Sequence, residues 1–267
     1  MVLNIAHRGA RSLAPENTLV AARKGFDGGA DFWETDLAVS RDEALILFHD
    51  DLLERTTDVA VRYPQRREQP FTTFTLEELR RLDAGSWFVD TDPFGQIAAG
   101  VLSPADLNNC CGAAIPTLEE ALVFTRELGW RINLELKRLP APMEQFPVVT
   151  RVLATIGHVG LPTEDIVISS FNHVWLKEVQ ARRPAVEVQA LVGYHTAGPL
   201  VWGDMSFGTY NVRSTLITVE TLRERVASGY AINLFTVNEA DEMQQFAAAG
   251  ATGFITDFPQ RLSILSL

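Results

Sequence analysis

The 267-residue chain carries 23 Lys and Arg against 34 Asp and Glu, a formal net charge of −11, with 46% hydrophobic and 21% charged residues. That much apolar surface excludes a disordered or fibrous polymer. A sequence pI near 4.9 argues against a nucleic-acid groove, which needs clustered Lys and Arg. An anionic small molecule stays possible only if positive charge is local, from a metal or a few placed basic residues.

Residues 2–6 read as a buried strand, residues 17–28 as a helix that stops at the Gly28-Gly29 pair, and 31–39 as a second strand. A turn at 40–43 and an extended run at 44–48 follow. From about 51 to 114 the alternation lapses; only 75–82 reads as a short helix among Pro, Gly, Asp and Asn. A structureless loop of that length is suspect, so the stretch predicts a small insertion over one end of the fold. Thr117 caps a helix that Gly129 closes. After it come strand 131–136, helix 146–156, strand 166–170, helix 174–183, strand 186–192 and a weak strand at 209–212. Helix 219–228, strand 231–237, helix 239–249 and strand 252–256 complete the chain.

Strands spaced by amphipathic helices imply βαβ units and a parallel sheet. The doubly wound alternative wants a glycine-rich phosphate loop after its first strand, where this chain has His7-Arg8-Gly9. The expectation is therefore an α/β fold of the TIM (β/α)8 type, one unit over 1–267 with the insertion inside it. Cys110 and Cys111 are sequence neighbours, poorly placed for a disulfide and too few for zinc, and are read as free thiols. No apolar run reaches the length of a membrane span, and the first residues lack a signal-peptide pattern, so the chain is expected to be cytoplasmic.

In a parallel barrel the chemistry sits at the C-terminal strand ends. There the sequence puts His7-Arg8, Glu34-Thr35-Asp36, His49-Asp50 and Glu135-Leu136-Lys137. Residues two apart on a strand share a face, so Glu34 pairs with Asp36 and Glu135 with Lys137. Three converging carboxylates repel, and a hard divalent cation resolves the conflict; an all-oxygen set suits Mg²⁺, Ca²⁺ or Mn²⁺. Ion pairs with Arg8 and Lys137 are the plainer alternative for any one carboxylate. His7 and His49, each beside this set, suit a general acid and base. His158, His173 and His195 lack such company and are read as surface or loop residues.

These blocks resemble the glycerophosphodiester phosphodiesterase family over nearly the whole chain. Ala6-His7-Arg8-Gly9, Pro15-Glu16-Asn17-Thr18, Glu34-Thr35-Asp36 and His49-Asp50 are similar to its opening signature, in order. Residues 82–88, Glu135-Leu136-Lys137, Ser169-Ser170-Phe171, Thr236-Val237-Asn238 and Thr256-Asp257-Phe258-Pro259 extend the match. The resemblance implies catalytic His7 and His49, metal ligands Glu34, Asp36 and Glu135, and phosphate contacts Arg8 and Lys137. Asn17 and Asn238 are expected to cap helices. Two features depart from the family. Its tryptophan before Thr-Val-Asn is Phe235 here, which keeps an aromatic wall without an indole N–H. The insertion also runs on through 89–114.

The activity implied is metal-dependent hydrolysis of a glycerophosphodiester to glycerol 3-phosphate and an alcohol such as choline or ethanolamine, through a cyclic phosphate. This places the chain in lipid and glycerol metabolism, with a small-molecule partner, no nucleic acid and no stable membrane insertion. A competing enzyme reading is a phospholipase D-like activity (sphingomyelinase D or lysophospholipase D type), which requires an exposed apolar or basic rim. Its candidates in the insertion are Phe71, Phe74, Trp87, Phe88 and Phe94. A catalytically dead binding barrel is disfavoured because both His7 and His49 are present.

Overall fold

Apolar strands two faces deep, joined by helices with one apolar stripe, have few ways to bury both layers, and a closed barrel is one of them. The computed structural model describes residues 2–265; Met1, Ser266 and Leu267 of the expected 1–267 unit lie outside the described residues. The elements begin with strand β1 (Leu3–His7), helix α1 (Leu19–Asp27), β2 (Phe32–Val39) and β3 (Leu45–Leu47). Four short helices follow: α2 (Val59–Arg62), α3 (Leu76–Arg80), α4 (Ser86–Thr91) and α5 (Pro104–Cys110). The alternation then resumes with α6 (Leu118–Glu127), β4 (Arg131–Leu136), α7 (Val148–Val159), β5 (Ile166–Ser170), α8 (His173–Arg182) and β6 (Glu187–Val192). The chain finishes with β7 (Thr209–Arg213), α9 (Val219–Ala227), β8 (Ala231–Phe235), α10 (Ala240–Ala248), β9 (Gly253–Thr256) and α11 (Pro259–Leu262).

The sheet runs β1-β9-β8-β7-β6-β5-β4-β2 and closes through a β1–β2 pairing, while β3 lies antiparallel on the far end of β2. The fold is thus a TIM barrel of eight parallel strands. Residues 209–212, weak in the sequence, belong to a regular strand held on both sides by β6 and β8. Side chains alternate along each strand. One set, including Ala6, Trp33, Leu134, Ile168 and Ile232, packs outward against the helices in the main core. The other fills the barrel axis with Ile5, Phe32, Val167, Leu191, Phe235 and Ile255. Polar side chains share these inward positions: Asn133, Gln189, Asn211 and Asn233 are all buried there.

The region between β3 and α6 is more ordered than its sequence suggests. Its helices span only four to seven residues; α3 matches the helix expected at 75–82, and the other three are too short for a hydrophobic period to register. Phe88, Leu102 and Cys110 make a second, small core with Ala10, Leu13, Ala14 and Ala21. The insertion therefore packs on the loop after β1, next to the barrel mouth. Cys110 is buried, Cys111 exposed, and both thiols are free.

Candidate active site

His7 is the last residue of β1, and Arg8 and Gly9 after it take left-handed φ values of 54° and 80°. That turn aims the Arg8 amide at Glu34 Oε2, to which it donates at 3.0 Å. Only glycine fits at position 9, since a Cβ there would lie 2.4 Å from the Ala21 carbonyl carbon. Glu34 faces His7 in the β1–β2 register, and Asp36 faces Glu135 in the β2–β4 register. The three carboxylates accordingly converge, with one oxygen from each within 4.8 Å of the others; among the described residues they form the one such group.

Their protonation is uneven. Burial, together with Asp36 and Glu135, pushes Glu34 well above the usual carboxylate range. Burial and Asp36 raise Glu135 to about 7. Asp36 alone is held low, where Lys137 and Arg8 outweigh the cost of burial. Arg8 Nε lies 3.1 Å from Asp36 and Lys137 Nζ 3.3 Å. Glu34 Oε1 is buried with no hydrogen-bond partner. A site with more negative charge than its arginine and lysine can neutralise, and with an orphaned oxygen, fits a hard cation on oxygen donors.

Each histidine is steered by an aspartate. His7 Nδ1 lies 2.6 Å from Asp257 Oδ1, and His49 Nδ1 lies 2.5 Å from Asp50 Oδ1. Both Nε2 atoms are left to the cavity. Burial lowers His7 to about 4 although Asp257 pulls the other way, so His7 is neutral at neutral pH with its Nδ1 proton donated to Asp257. Asp257 drops to about 2, its burial outweighed by His7 and Arg11. The motif that supplies Asp257 was visible in the sequence, but its contact with a residue 250 positions away was not.

Asn17 and Asn238 do not cap helices. Thr18 caps α1, and Glu239 starts α10 without a side-chain bond. Instead the two asparagines make the same clasp on two strand ends. Asn17 Oδ1 accepts from Thr35 Oγ1 and the Asp36 amide while its Nδ2 donates to Asp36 Oδ2. Asn238 Oδ1 accepts from Thr256 Oγ1 and the Asp257 amide while its Nδ2 donates to Asp257 Oδ2. One clasp fixes a carboxylate of the acidic trio and the other fixes the partner of His7.

All eight residues named from the sequence come together: His7, Arg8, Glu34, His49, Glu135, Lys137 and Phe235 line one open cavity of about 2080 Å³, and Asp36 lies buried behind it, bonded to Arg8 and Lys137. Arg8 is more enclosed than a substrate contact needs, its guanidinium bound to Glu16 at 2.7 Å as well as to Asp36. His173 and His195 also line the cavity; His158 is exposed. The insertion's aromatics form no rim, since Phe71, Phe74 and Phe88 are buried and Trp87 and Phe94 half-buried. Exposed apolar side chains edge the cavity elsewhere, at Leu52, Val174, Tyr194 and Val201.

The model of the Glycerophosphoryl diester phosphodiesterase family matches residues 7–261. The chain is 43% identical to mouse glycerophosphoinositol inositolphosphodiesterase GDPD2 over 51% of its own length but spans only 25% of that protein. A glycerophosphodiester phosphodiesterase of Caldanaerobacter subterraneus is 28% identical, with 97% of this chain and 96% of the relative covered. Among solved structures, an Oleispira antarctica phosphodiesterase in complex with the product sn-glycerol-3-phosphate superposes with a TM-score of 0.78 at 26% identity, covering 97% and 94% of the two chains.

Proposed function

The chain belongs to the glycerophosphoryl diester phosphodiesterase family, and from that membership we propose that it hydrolyses glycerophosphodiesters to glycerol 3-phosphate and an alcohol. The observation that carries the reading is the meeting, at one barrel mouth, of a crowded acidic trio and two aspartate-oriented histidines. Glu34, Asp36 and Glu135 would hold one divalent cation, Mg²⁺, Ca²⁺ or Mn²⁺. When bound, such a cation polarises a phosphoryl oxygen and lowers the pKa of a nearby hydroxyl.

The protein's own groups do the rest. Neutral His7 takes the proton of the substrate's glycerol hydroxyl at Nε2, and Asp257 stabilises the resulting imidazolium. The freed oxygen attacks phosphorus while the bond to the alcohol breaks, and His49, oriented by Asp50, gives that alcohol its proton. Water then opens the cyclic phosphate with the histidines in exchanged roles. Arg8 and Lys137 supply positive charge around the phosphate, and Phe235 walls the alcohol side. Two residues thus act as acid and base on an intramolecular displacement, which gains the effective molarity of a tethered nucleophile.

The test is a panel of glycerophosphodiesters assayed for glycerol 3-phosphate with each metal returned to stripped protein. A deoxyglycerol analogue should bind yet turn over poorly, the loss falling on kcat more than on KM. Turnover of that analogue near the rate of glycerophosphocholine would remove the cyclic intermediate. No release of glycerol 3-phosphate from any member would remove the reading itself. The apolar edge at Val174, Tyr194 and Val201, 74%, 69% and 72% exposed, favours a second reading on lipid phosphodiesters. Its mark is sedimentation with liposomes and alcohol release from a lysophospholipid.

A further inference from the structure

Arg213 ends β7, which is four strands from β2 in either direction around the barrel. It therefore stands across the mouth from Glu34 and Asp36. Its Nε donates to the Gly193 carbonyl at 2.6 Å, and its guanidinium carbon lies 5.0 Å from the centroid of the Phe235 ring. Gly193 has φ +86°, and a Cβ there would come within 2.8 Å of the Arg213 Cβ, so the seat requires glycine.

The remaining hydrogen-bonding capacity is open. Among the described residues no carboxylate is within ion-pair distance of Arg213, and neither Nη group has a protein acceptor. The other cations of the cavity are committed. Arg8 is bound by Glu16 and Asp36, Arg55 by Glu16 and Asp50, and Lys137 by Asp36, while Arg138 is on the exposed loop after β4. A guanidinium fixed through Nε and one π face, lining the cavity with both Nη groups free of protein acceptors, is built for a two-pronged grip on phosphate oxygens.

We infer that Arg213 contacts the substrate's phosphate from the wall opposite the acidic trio, as a catalytic residue that none of the sequence motifs includes. The inference rests on the phosphodiesterase reading above. The phosphate then sits between the positive charge on the β2–β4 side and the arginine on β7. Phe171 and Tyr194, stacked edge-on in a row from Phe235, continue the wall toward the alcohol.

A contact with phosphate is common to every glycerophosphodiester. Arg213→Gln should therefore lower kcat/KM by about 10²–10³, and by a similar factor for glycerophosphocholine, glycerophosphoethanolamine and glycerophosphoinositol. Inhibition of the metal-loaded enzyme by inorganic phosphate and by glycerol 3-phosphate should weaken at least tenfold. Arg213→Lys keeps the charge but loses the fork, and should recover part of both. If Arg213→Gln does not fold, Arg213→Lys and Gly193→Ala carry the same inhibition measurement, since the latter unseats the side chain without changing its charge. A loss confined to one alcohol group, or unchanged phosphate inhibition, overturns the inference. Inactivity of the wild-type enzyme on all three substrates instead overturns the phosphodiesterase reading.

Discussion

Glu16 accepts three guanidinium groups in a buried position: Arg8 at 2.7 Å, Arg11 at 3.0 Å and Arg55 at 2.6 Å. In the sequence it stands in the Pro15-Glu16-Asn17-Thr18 block just before the first helix. In the structure Arg11 also reaches Asp257, the partner of His7, and Arg55 also binds Asp50, the partner of His49. One carboxylate thus braces the supports of both histidines. Glu16→Gln would leave the buried Arg8, with the more accessible Arg11 and Arg55, facing a neutral amide and should destabilise the fold by about 3 kcal/mol, read from urea unfolding. His7→Ala and His49→Ala should each reduce turnover by about 10²–10⁴, measured at saturating metal. A near wild-type rate from either would make that histidine a structural residue.

His7 also sets a pH dependence. Its folded value near 4 lies below the ordinary 6.5, so between those values the unfolded chain binds the extra proton. Stability from this group is complete above about pH 6.5 and is lost as the pH falls toward 4, by up to about 3 kcal/mol. A denaturation series from pH 7.5 to 4 should show the slope in the wild type and a flatter one in His7→Gln. Equal slopes would place the titration elsewhere.

At the scale of elements, the two asparagine clasps show what a short motif conceals. Asn17 and Asn238 each precede a helix, which is the position of a cap, and capping chemistry is legible locally. The actual partners, Thr35-Asp36 and Thr256-Asp257, are 18 and 19 residues away in sequence and adjacent only once the barrel closes. Three of the insertion's four helices, α2, α4 and α5, failed to register for the opposite reason: their contacts are close, but they are too brief to show a period. Gly85 illustrates how tightly the insertion is joined, because a Cβ there would fall 1.7 Å from the Cys110 carbonyl oxygen. Gly85→Ala should therefore cost on the order of 3 kcal/mol, as overpacking against rigid backbone does, visible as a lower melting temperature. Unchanged melting would show that α4 and α5 can slide apart.

For the whole molecule, the strand–helix alternation and the polar strand ends were enough to read the barrel and the acidic and histidine residues from sequence. Parity along a strand is a covalent fact, and the rule for where parallel barrels put their chemistry does not depend on detail. Arg213 escaped because its strand looked weak and because a single arginine after an apolar run carries no pattern. The trio makes a global prediction. With two of its carboxylates pushed up by burial and by the charge of Asp36, adding Mg²⁺, Ca²⁺ or Mn²⁺ to stripped protein should raise the melting temperature in a concentration-dependent way. Glu135→Gln should blunt that rise without unfolding the protein. A melting curve indifferent to all three ions would count against the site.

The bond between His7 and Asp257 joins the first strand to the turn after the last, across 250 residues of sequence. On the ribosome this imposes a schedule. His7 is made first, yet its orienting partner is added only after the other seven strands, roughly 12–50 s later at 5–20 residues per second. Until then β1 lacks its neighbour β9, and the histidine has no fixed tautomer. A nascent chain that ends before Asp257 would hold the complete acidic trio, whose last member is Glu135, but a His7 without the carboxylate that orients it.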